Sequence, residues 1–404
     1  MFLFYRTCFV ARAVLLSLCV IGLSLPNSAR AASTSLTAPE ASEDLTERLR
    51  GASAVLSTQP DTDVQGLLAT ALSDYRTLVQ VLYDSGHFSP EVHIRLDGRE
   101  AASIQPLYPP RSINDIVITV NPGPKFTFGT ANVTPMPDPS EVEIPEGFAT
   151  GQAASTSAIR DASHAGIKAW RHAGHAKVAL QSQDLTANHT QARINATLRL
   201  SPGPHLRFGQ LHQTGETAVN PEAIRRIAGF PTGEPYHPDD LAKAATRLRR
   251  TGTFSSVSVT EAQQPNPDGT LDFTANFEDQ PQRRLTFGAE LSSSDGLELT
   301  GTWMHRNLFG NAEKLRFETR LSGIGGNSDL DGRISLRLDR PATLGPDDNT
   351  YYLLEVERLD EEHYTATRGL GAIGVRRVFS DTLFAEGSLG FESILAEDVF
   401  GKRR

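Results

Sequence analysis

Few residues in this chain have the types and spacing that chemistry needs, and each of them reads more simply as structure. Gly369-Leu370-Gly371-Ala372-Ile373-Gly374 spells G-x-G-x-x-G. That spacing lets backbone approach a dinucleotide pyrophosphate when a strand precedes it and a helix follows. Here two-residue alternation continues on both sides, so the glycines read as small residues of a strand. His172 and His175 lie near a helix end with no acid beside them in sequence, which reads as a surface pair rather than a set of metal ligands. Asn132-Val133-Thr134, Asn188-His189-Thr190 and Asn195-Ala196-Thr197 match glycosylation acceptors, which carry little weight in an export product of bacterial type. The only cysteines, Cys8 and Cys19, fall in an N-terminal apolar segment that is expected to be removed. Without them, disulfides, thiolate catalysis and cysteine metal sites are excluded. With no G-x-S-x-G element, paired catalytic acids or phosphate loop, the expectation is no catalytic residue, no metal, no cofactor and no enzyme.

The N-terminus sets the compartment. Arg6 and Arg12 form a positive region, Ala13–Leu25 is an apolar run too short to span a bilayer as a helix, and Ala29-Arg30-Ala31 gives a small-x-small cleavage pattern. Residues 1–31 thus read as a signal peptide with Ala29 and Ala31 marking its cleavage site. Leu18 before Cys19 is too large for lipoprotein processing. The whole chain carries −9, and losing the three arginines of residues 1–31 takes it to −12. An acidic balance argues against nucleic acid, whose phosphates demand clustered Lys and Arg. No later stretch is long and apolar enough for a transmembrane helix, so any membrane span must be made of strands.

The most informative feature is a repeat of about eighty residues. Pro122-Gly123-Pro124-Lys125-Phe126-Thr127-Phe128-Gly129 recurs as Pro202-Gly203-Pro204-His205-Leu206-Arg207-Phe208-Gly209, and more weakly as Pro281-Gln282-Arg283-Arg284-Leu285-Thr286-Phe287-Gly288. A second motif moves in step with it: Leu82 to Phe88, Trp170 to Ala176 and Leu248 to Phe254, centred on Gly86, Gly174 and Gly252. Each copy ends a helix-like stretch and precedes an alternating one. Glycine there supplies the left-handed cap that a helix end favours. Leu67, Leu68, Ala71, Leu72, Tyr75, Leu78, Val79 and Leu82 make the apolar stripe of an amphipathic helix. Val257 and Val259, then Leu271 and Phe273, alternate as strands do. Each unit reads as a strand, one or two helices, glycine and two more strands, which makes an α+β layer pair.

This order, β-α-α-β-β with a glycine corner after the second helix, resembles the POTRA module, a polypeptide-transport-associated domain. Three tandem copies ahead of a barrel resemble the TamA family, rather than BamA with five or the FhaC-type transporters with two. The resemblance implies POTRA 1 at 32–125, POTRA 2 at 126–205 and POTRA 3 at 206–282. Residues 33–42 show no convincing first strand for the first copy.

From residue 283 helical periodicity gives way to alternation. Leu285, Phe287, Ala289 and Leu291 oppose Thr286, Glu290 and Ser292. Leu315, Phe317 and Leu321 oppose Lys314, Arg316, Glu318 and Arg320. Ile334, Leu336 and Leu338 oppose Arg333, Arg337 and Asp339. A half-buried soluble sheet has this pattern too. The density of both charge signs on one face and the export signal favour a transmembrane β-barrel. His305, Arg306, Asn307, Leu308, Phe309 and Gly310 resemble the early barrel hairpin of the family. About seven strands are expected over 283–392, against the sixteen or so that the resemblance implies. Phe400 to Arg404 lacks a terminal aromatic strand, and Arg368-Gly369-Leu370 is no match for the later Arg-Gly-aromatic loop. Residues 283–404 therefore read as an incomplete barrel in a fragment or truncated gene.

The resemblance implies an outer-membrane factor with its POTRA modules in the periplasm, which inserts autotransporters and other barrel proteins. Its first barrel strand, Leu285 to Ser294, would be a weakly paired gate. Outer-membrane lipid and a TamB-like, inner-membrane-anchored protein would be its partners. The alternatives are a soluble periplasmic POTRA scaffold or inactive fragment, and a two-partner-type secretion transporter.

Overall fold

A computed structural model of the chain describes residues 32–59, 62–293, 296–325, 330–361, 364–398 and 401–403. The signal segment with Ala29 and Ala31, Ser294 and Asp295 at the end of the expected gate, and Phe400 and Arg404 lie outside these. None of the described helices is long and apolar enough to cross a membrane, which says nothing of strands.

Two compact units emerge, residues to Phe126 with 189–192 and the remainder. The first holds β1 (Ser33–Thr37), α1 (Glu43–Ala52), α2 (Val64–Asp84), β2 (Glu91–Leu96), β3 (Arg99–Glu100) and β4 (Asp115–Asn121). Asp63 caps α2, its carboxylate accepting from Gly66 N at 2.7 Å, as an N-cap should. The α2 stripe of Leu68, Ala71, Leu78 and Leu82 is buried against Ile94, Ile116, Ile118 and Val120 of the sheet. Asp74, on the same helix, is buried yet satisfied: it accepts from Ser53 Oγ at 2.6 Å and from the amides of Ala54 and Val55. The sheet order is β1-β4-β2-β3. The expectation of no first strand is corrected by β1, which pairs parallel with β4 from Ser33↔Asp115 to Thr37↔Thr119. Its sequence is polar, and only Leu36 turns into the core, too little to signal a strand.

The second unit opens with β5 (Thr127–Thr134), α3 (Thr156–His172), β6 (Ala179–Asn188) and β7 (Arg193–Ser201), ordered β5-β7-β6. The expected first helix of this copy is absent from the described residues. Residues 135–155 carry Pro135, Pro137, Pro139 and Pro145, and each removes an amide donor and fixes φ, which breaks a helical turn. A third α+β layer follows: β8 (Arg207–Thr214), α4 (Pro221–Ala228), α5 (Pro238–Arg250), β9 (Phe254–Glu261) and β10 (Thr270–Asp279), ordered β8-β10-β9. Both layers pair their first strand parallel to their last and their middle strand antiparallel to it. Phe128 and Phe208, equivalent in the repeat, are both fully buried.

The rest is a large antiparallel sheet of β11 (Arg283–Ser292), β12 (Gly296–Arg306), β13 (Lys314–Ile324), β14 (Asp331–Pro341), β15 (Asp348–Glu361), β16 (Tyr364–Val378), β17 (Phe384–Asp398) and β18 (Gly401–Arg403). The strands lie in chain order and do not close into a barrel. Among the described residues, β11 to β17 are the seven strands expected, and the three-residue β18 lies beyond the expected range. The G-x-G-x-x-G residues lie within β16, and Gly374 leaves room for the Tyr351 ring, which a Cβ would meet at 2.4 Å.

Candidate functional site

Three features of the second unit have functional shape: a free sheet edge with an apolar face, the turns where the last α+β layer meets the sheet, and the joint between the two α+β layers.

Strand β11 pairs with β12 from Arg283↔His305 to Ser292↔Gly296 and with no other described strand. Leu285, Phe287, Ala289 and Leu291, singled out by the sequence, alternate along this edge, and Phe287 is 76% and Leu291 81% exposed. Pairing register carries their face across the sheet. Leu285 lies opposite Trp303, Trp303 opposite Phe317, Phe317 opposite Leu336, Leu336 opposite Leu354 and Leu354 opposite Gly371, which faces Phe391. Leu354, Val356, Leu389 and Phe391 on that face are exposed as well. The opposite face is charged and internally paired. Arg320 reaches Glu298 at 3.3 Å, Arg333 reaches Glu355 at 3.4 Å, and Arg368 reaches Glu357 and Glu392. An exposed half of a Leu or Phe side chain forgoes roughly 1 kcal/mol of burial, so an apolar surface of this extent calls for something to cover it.

The hairpin singled out by sequence, His305 to Gly310, places Arg306 at the end of β12 and the rest of the β12–β13 turn against the third α+β layer. Asn307 (φ 60°) donates from Nδ2 to Ala218 O at 2.7 Å, and Asn220 N donates to Gly310 O at 2.7 Å. Glu313 organises the turn by accepting from Asn311 N and Nδ2 and from Phe309 N. Burial alone would raise its carboxyl, but these bonds outweigh that and hold it below the ordinary range. Ala312 and Ala342 pack into the α4–α5 core with Val219, Ala223 and Ile227. Phe309 stays exposed.

The next turn, between β14 and β15, offers Asp347 to Arg247 of α5. The pair is bidentate, Nε–Oδ1 2.9 Å and Nη2–Oδ2 2.6 Å, with Arg250 at 3.5 Å. Hydrogen bonding by Arg247 holds the Asp347 carboxyl below the ordinary range. Above this contact, a cleft of about 510 Å³ is lined by Arg247, Arg250, Lys314, Arg316, Arg337 and Arg376 against Asp339, Asp347, Asp348 and Glu386.

At the joint between the two α+β layers, Arg171, at the end of α3, donates to Glu261 and to the Tyr236 hydroxyl, and Lys177 Nζ lies 3.3 Å from Glu261. Burial pushes the Tyr236 hydroxyl up to about 12. Burial works against the Arg171 charge, and the bond to Glu261 more than restores it. His175 turns away from His172, sitting 2.9 Å from Gly203 O by its Nδ1 and edge-on to Trp170. His172 instead meets Glu141 and His237, so the expected His172–His175 pair is corrected. One ligand atom from each of these three lies within 4.8 Å of the others.

Gly86, Gly174 and Gly252 sit at helix ends with φ of 89°, 89° and 67°. Sequence reading missed Arg171, Tyr236, Glu261, Arg247 and Asp347. Their partners lie 25 to 100 residues away, and no local pattern marks them.

The family model POTRA, described as a surface antigen variable number repeat, matches residues 206–279, which are β8 to β10. The outer membrane protein assembly factor BamA of Neorickettsia risticii (strain Illinois) is 20% identical over 223 residues, 54% of this chain and 29% of that protein. The crystal structure of BamA from Haemophilus ducreyi lacking POTRA domains 1-3 shares the fold, with a TM-score of 0.56 at 13% identity over 68% of this chain and 52% of that one. CdiB from Escherichia coli, 14% identical over 68% of this chain and 52% of that one, reaches a TM-score of 0.41. The chain thus spans under a third of the curated relative and about half of each solved structure. Residues 206–279 thus carry a POTRA module, and the chain resembles BamA in sequence over 223 residues and in fold.

Proposed function

We propose that this chain is the periplasmic arm and leading barrel strands of an outer-membrane assembly factor of the TamA type. In this reading residues 32–125, 126–205 and 206–282 are three POTRA modules in the periplasm, and residues from 283 onward enter the outer membrane. The observation that carries it is the sheet from β11 onward, which leaves the last α+β layer directly and presents one exposed apolar face and one ion-paired face. Lipid would cover the first and a polar lumen would hold the second.

The mechanism needs no nucleotide. An unpaired strand edge is a template for another chain, and β11 offers one of ten residues. A client strand that pairs there satisfies backbone groups that hydrocarbon cannot and buries its own apolar face in lipid. Strand β6, exposed along its whole length at the edge of its sheet, would guide extended clients in the same manner. Autotransporters and other barrel proteins are the proposed clients, and a TamB-like, inner-membrane-anchored protein is the proposed partner of the POTRA region. The test is disulfide crosslinking between Phe287→Cys and cysteines placed along a client's strand during active assembly. Register-specific crosslinks are expected. Their absence while assembly proceeds sinks the gate, and folded monomer in the soluble periplasmic fraction would favour a scaffold instead.

A further inference from the structure

Glu141, His172 and His237 come from three separate places: the proline-rich loop after β5, the last residue of α3, and the N-cap of α5. Glu141 Oε2 lies 3.4 Å from His172 Nδ1 and 3.9 Å from His237 Nε2, and the two imidazoles are edge-to-face at 4.9 Å between centroids. Two imidazoles and one carboxylate are the donor set that late first-row divalent ions prefer, above all zinc, which takes three protein ligands and a water in a tetrahedron. Zinc–ligand bonds of about 2.0–2.1 Å put neighbouring tetrahedral ligands roughly 3.3 Å apart. The Glu141–His172 separation already meets that, His237 lies 3.9 Å from Glu141, and all three ligand atoms lie within 4.8 Å of one another, so the ion would draw them in by up to about 1.5 Å.

We infer that these three residues form a zinc-class metal site that clamps the joint between the second and third α+β layers. The surroundings fit. His172 stands at the C-terminal end of α3, where the helix dipole favours a cation. Its backbone is held by its neighbours: Trp170 Nε1 donates to Pro135 O at 2.8 Å, and Arg171 is locked to Glu261. His237 faces the N-terminal end of α5, which disfavours a cation, but Asp239 and Asp240 in the first turn offset this. His237 Nδ1 now accepts a long bond from Asp239 N at 3.3 Å. A metal on Nε2 would shift the proton to Nδ1, which faces Asp239 Oδ2 at 3.9 Å and would donate to it once the side chain closes by under an ångström. That is the carboxylate–imidazole–metal arrangement that orients a ligand histidine. The described residues contain no cysteine to compete. Because the ligands span the joint, the bound ion would fix the angle that the Arg171–Glu261 pair already favours.

The test is zinc titration of the full chain in detergent by calorimetry, with Cys8 and Cys19 replaced by serine, and cobalt(II) substitution read by visible absorption. His237→Asn removes the ligand but keeps a side chain that caps helices well, and His172→Gln and Glu141→Gln complete the set. One zinc per chain and a tetrahedral cobalt spectrum are expected. Each histidine variant should weaken binding more than the roughly 10–100-fold lost with an outer-shell partner, and His164→Gln, on the exposed side of α3, should change nothing. Matching circular dichroism of His237→Asn and the parent in chelator shows that the variant is folded. Zinc binding within twofold of the parent in both histidine variants, or no zinc binding by the parent at all, overturns the site.

Discussion

Replacing Asp347 with alanine should loosen the turn between β14 and β15 without unfolding either the sheet or the α4–α5 layer. Side-chain exposure is 18% for Arg247 and 30% for Asp347, so the pair lies between two limits. Exposed pairs contribute about 0–1 kcal/mol, and breaking a fully buried one costs about 3–5 kcal/mol. The two parallel bonds of 2.9 and 2.6 Å place it near the middle, about 2 kcal/mol, which is about thirtyfold in an opening equilibrium. Native-state hydrogen exchange reads this directly, since local opening is measured amide by amide. The Ala342 amide, bonded to Asp348 O at 2.7 Å, and the Asp348 amide, bonded to Gly345 O at 3.0 Å, should lose about thirtyfold in protection. Arg247→Ala should cost more, because Arg247 Nη1 also donates to Ala228 O at 3.1 Å. In the double variant the Asp347 change should then add only the part that its longer contact to Arg250, at 3.5 Å, supplies. The pH dependence follows from the depressed carboxyl. Asp347 ionises below its ordinary value of 3.8 when folded, so the pair's contribution is present above that value and fades as pH falls through the lower, folded one. The thirtyfold ratio should hold at pH 7 and 5 and shrink only below about pH 4. Single effects that simply add in the double variant, or a ratio independent of pH down to pH 2, would refute this account.

Two further outcomes follow from the repeat. Phe128→Ala deletes a buried ring that meets Phe148 edge-on at 5.1 Å and should cost its layer about 3–5 kcal/mol, whereas Phe287→Ala, at the same place in the repeat, should leave that layer unchanged; Trp170 fluorescence in urea separates the two. Gly174→Ala and Gly252→Ala should each cost about 1 kcal/mol for their positive φ of 89° and 67°, since the Cβ atoms would meet only the movable side chains of His205 and Lys314; urea midpoints of the two variants check this.

What the sequence made legible was whatever local physics repeats. Gly86, Gly174 and Gly252 were visible because a helix end needs a left-handed residue, and the sheet from β11 onward was visible because its faces alternate. Strand β1 escaped, since one buried leucine in five residues sets up no alternation; its pairing with β4, some eighty residues on, defines it. The missing helix of the second copy was written in its prolines, which a repeat-first reading smoothed over. The charged pairs at the joint and the turns were invisible for a different reason. Arg171, Glu261, Arg247 and Asp347 are ordinary surface residues until folding brings them together, and the same holds for Glu141, His172 and His237. Local sequence carries no trace of a partner a hundred residues away.

The repeat also shows why its third copy behaves differently. Phe128 and Phe208 begin strands of small sheets that helices cover on one face. Phe287 lies in the middle of β11, a strand on the open face of the large sheet, so the same Phe-Gly pair passes from a sealed core to an exposed position. The third α+β layer holds that strand at its Arg283 end. Gln280 N donates to Thr253 O, Arg306 N donates to Gln282 O at 2.7 Å, and Arg306 Nη1 donates to Pro281 O at 2.9 Å, so the Arg283 end of β11 is tied to β12 and to the layer before it. Toward the other end of β11, Leu291 pairs with Leu297 and is 81% exposed. Force applied along the edge would therefore act against an anchored base at the Arg283 end.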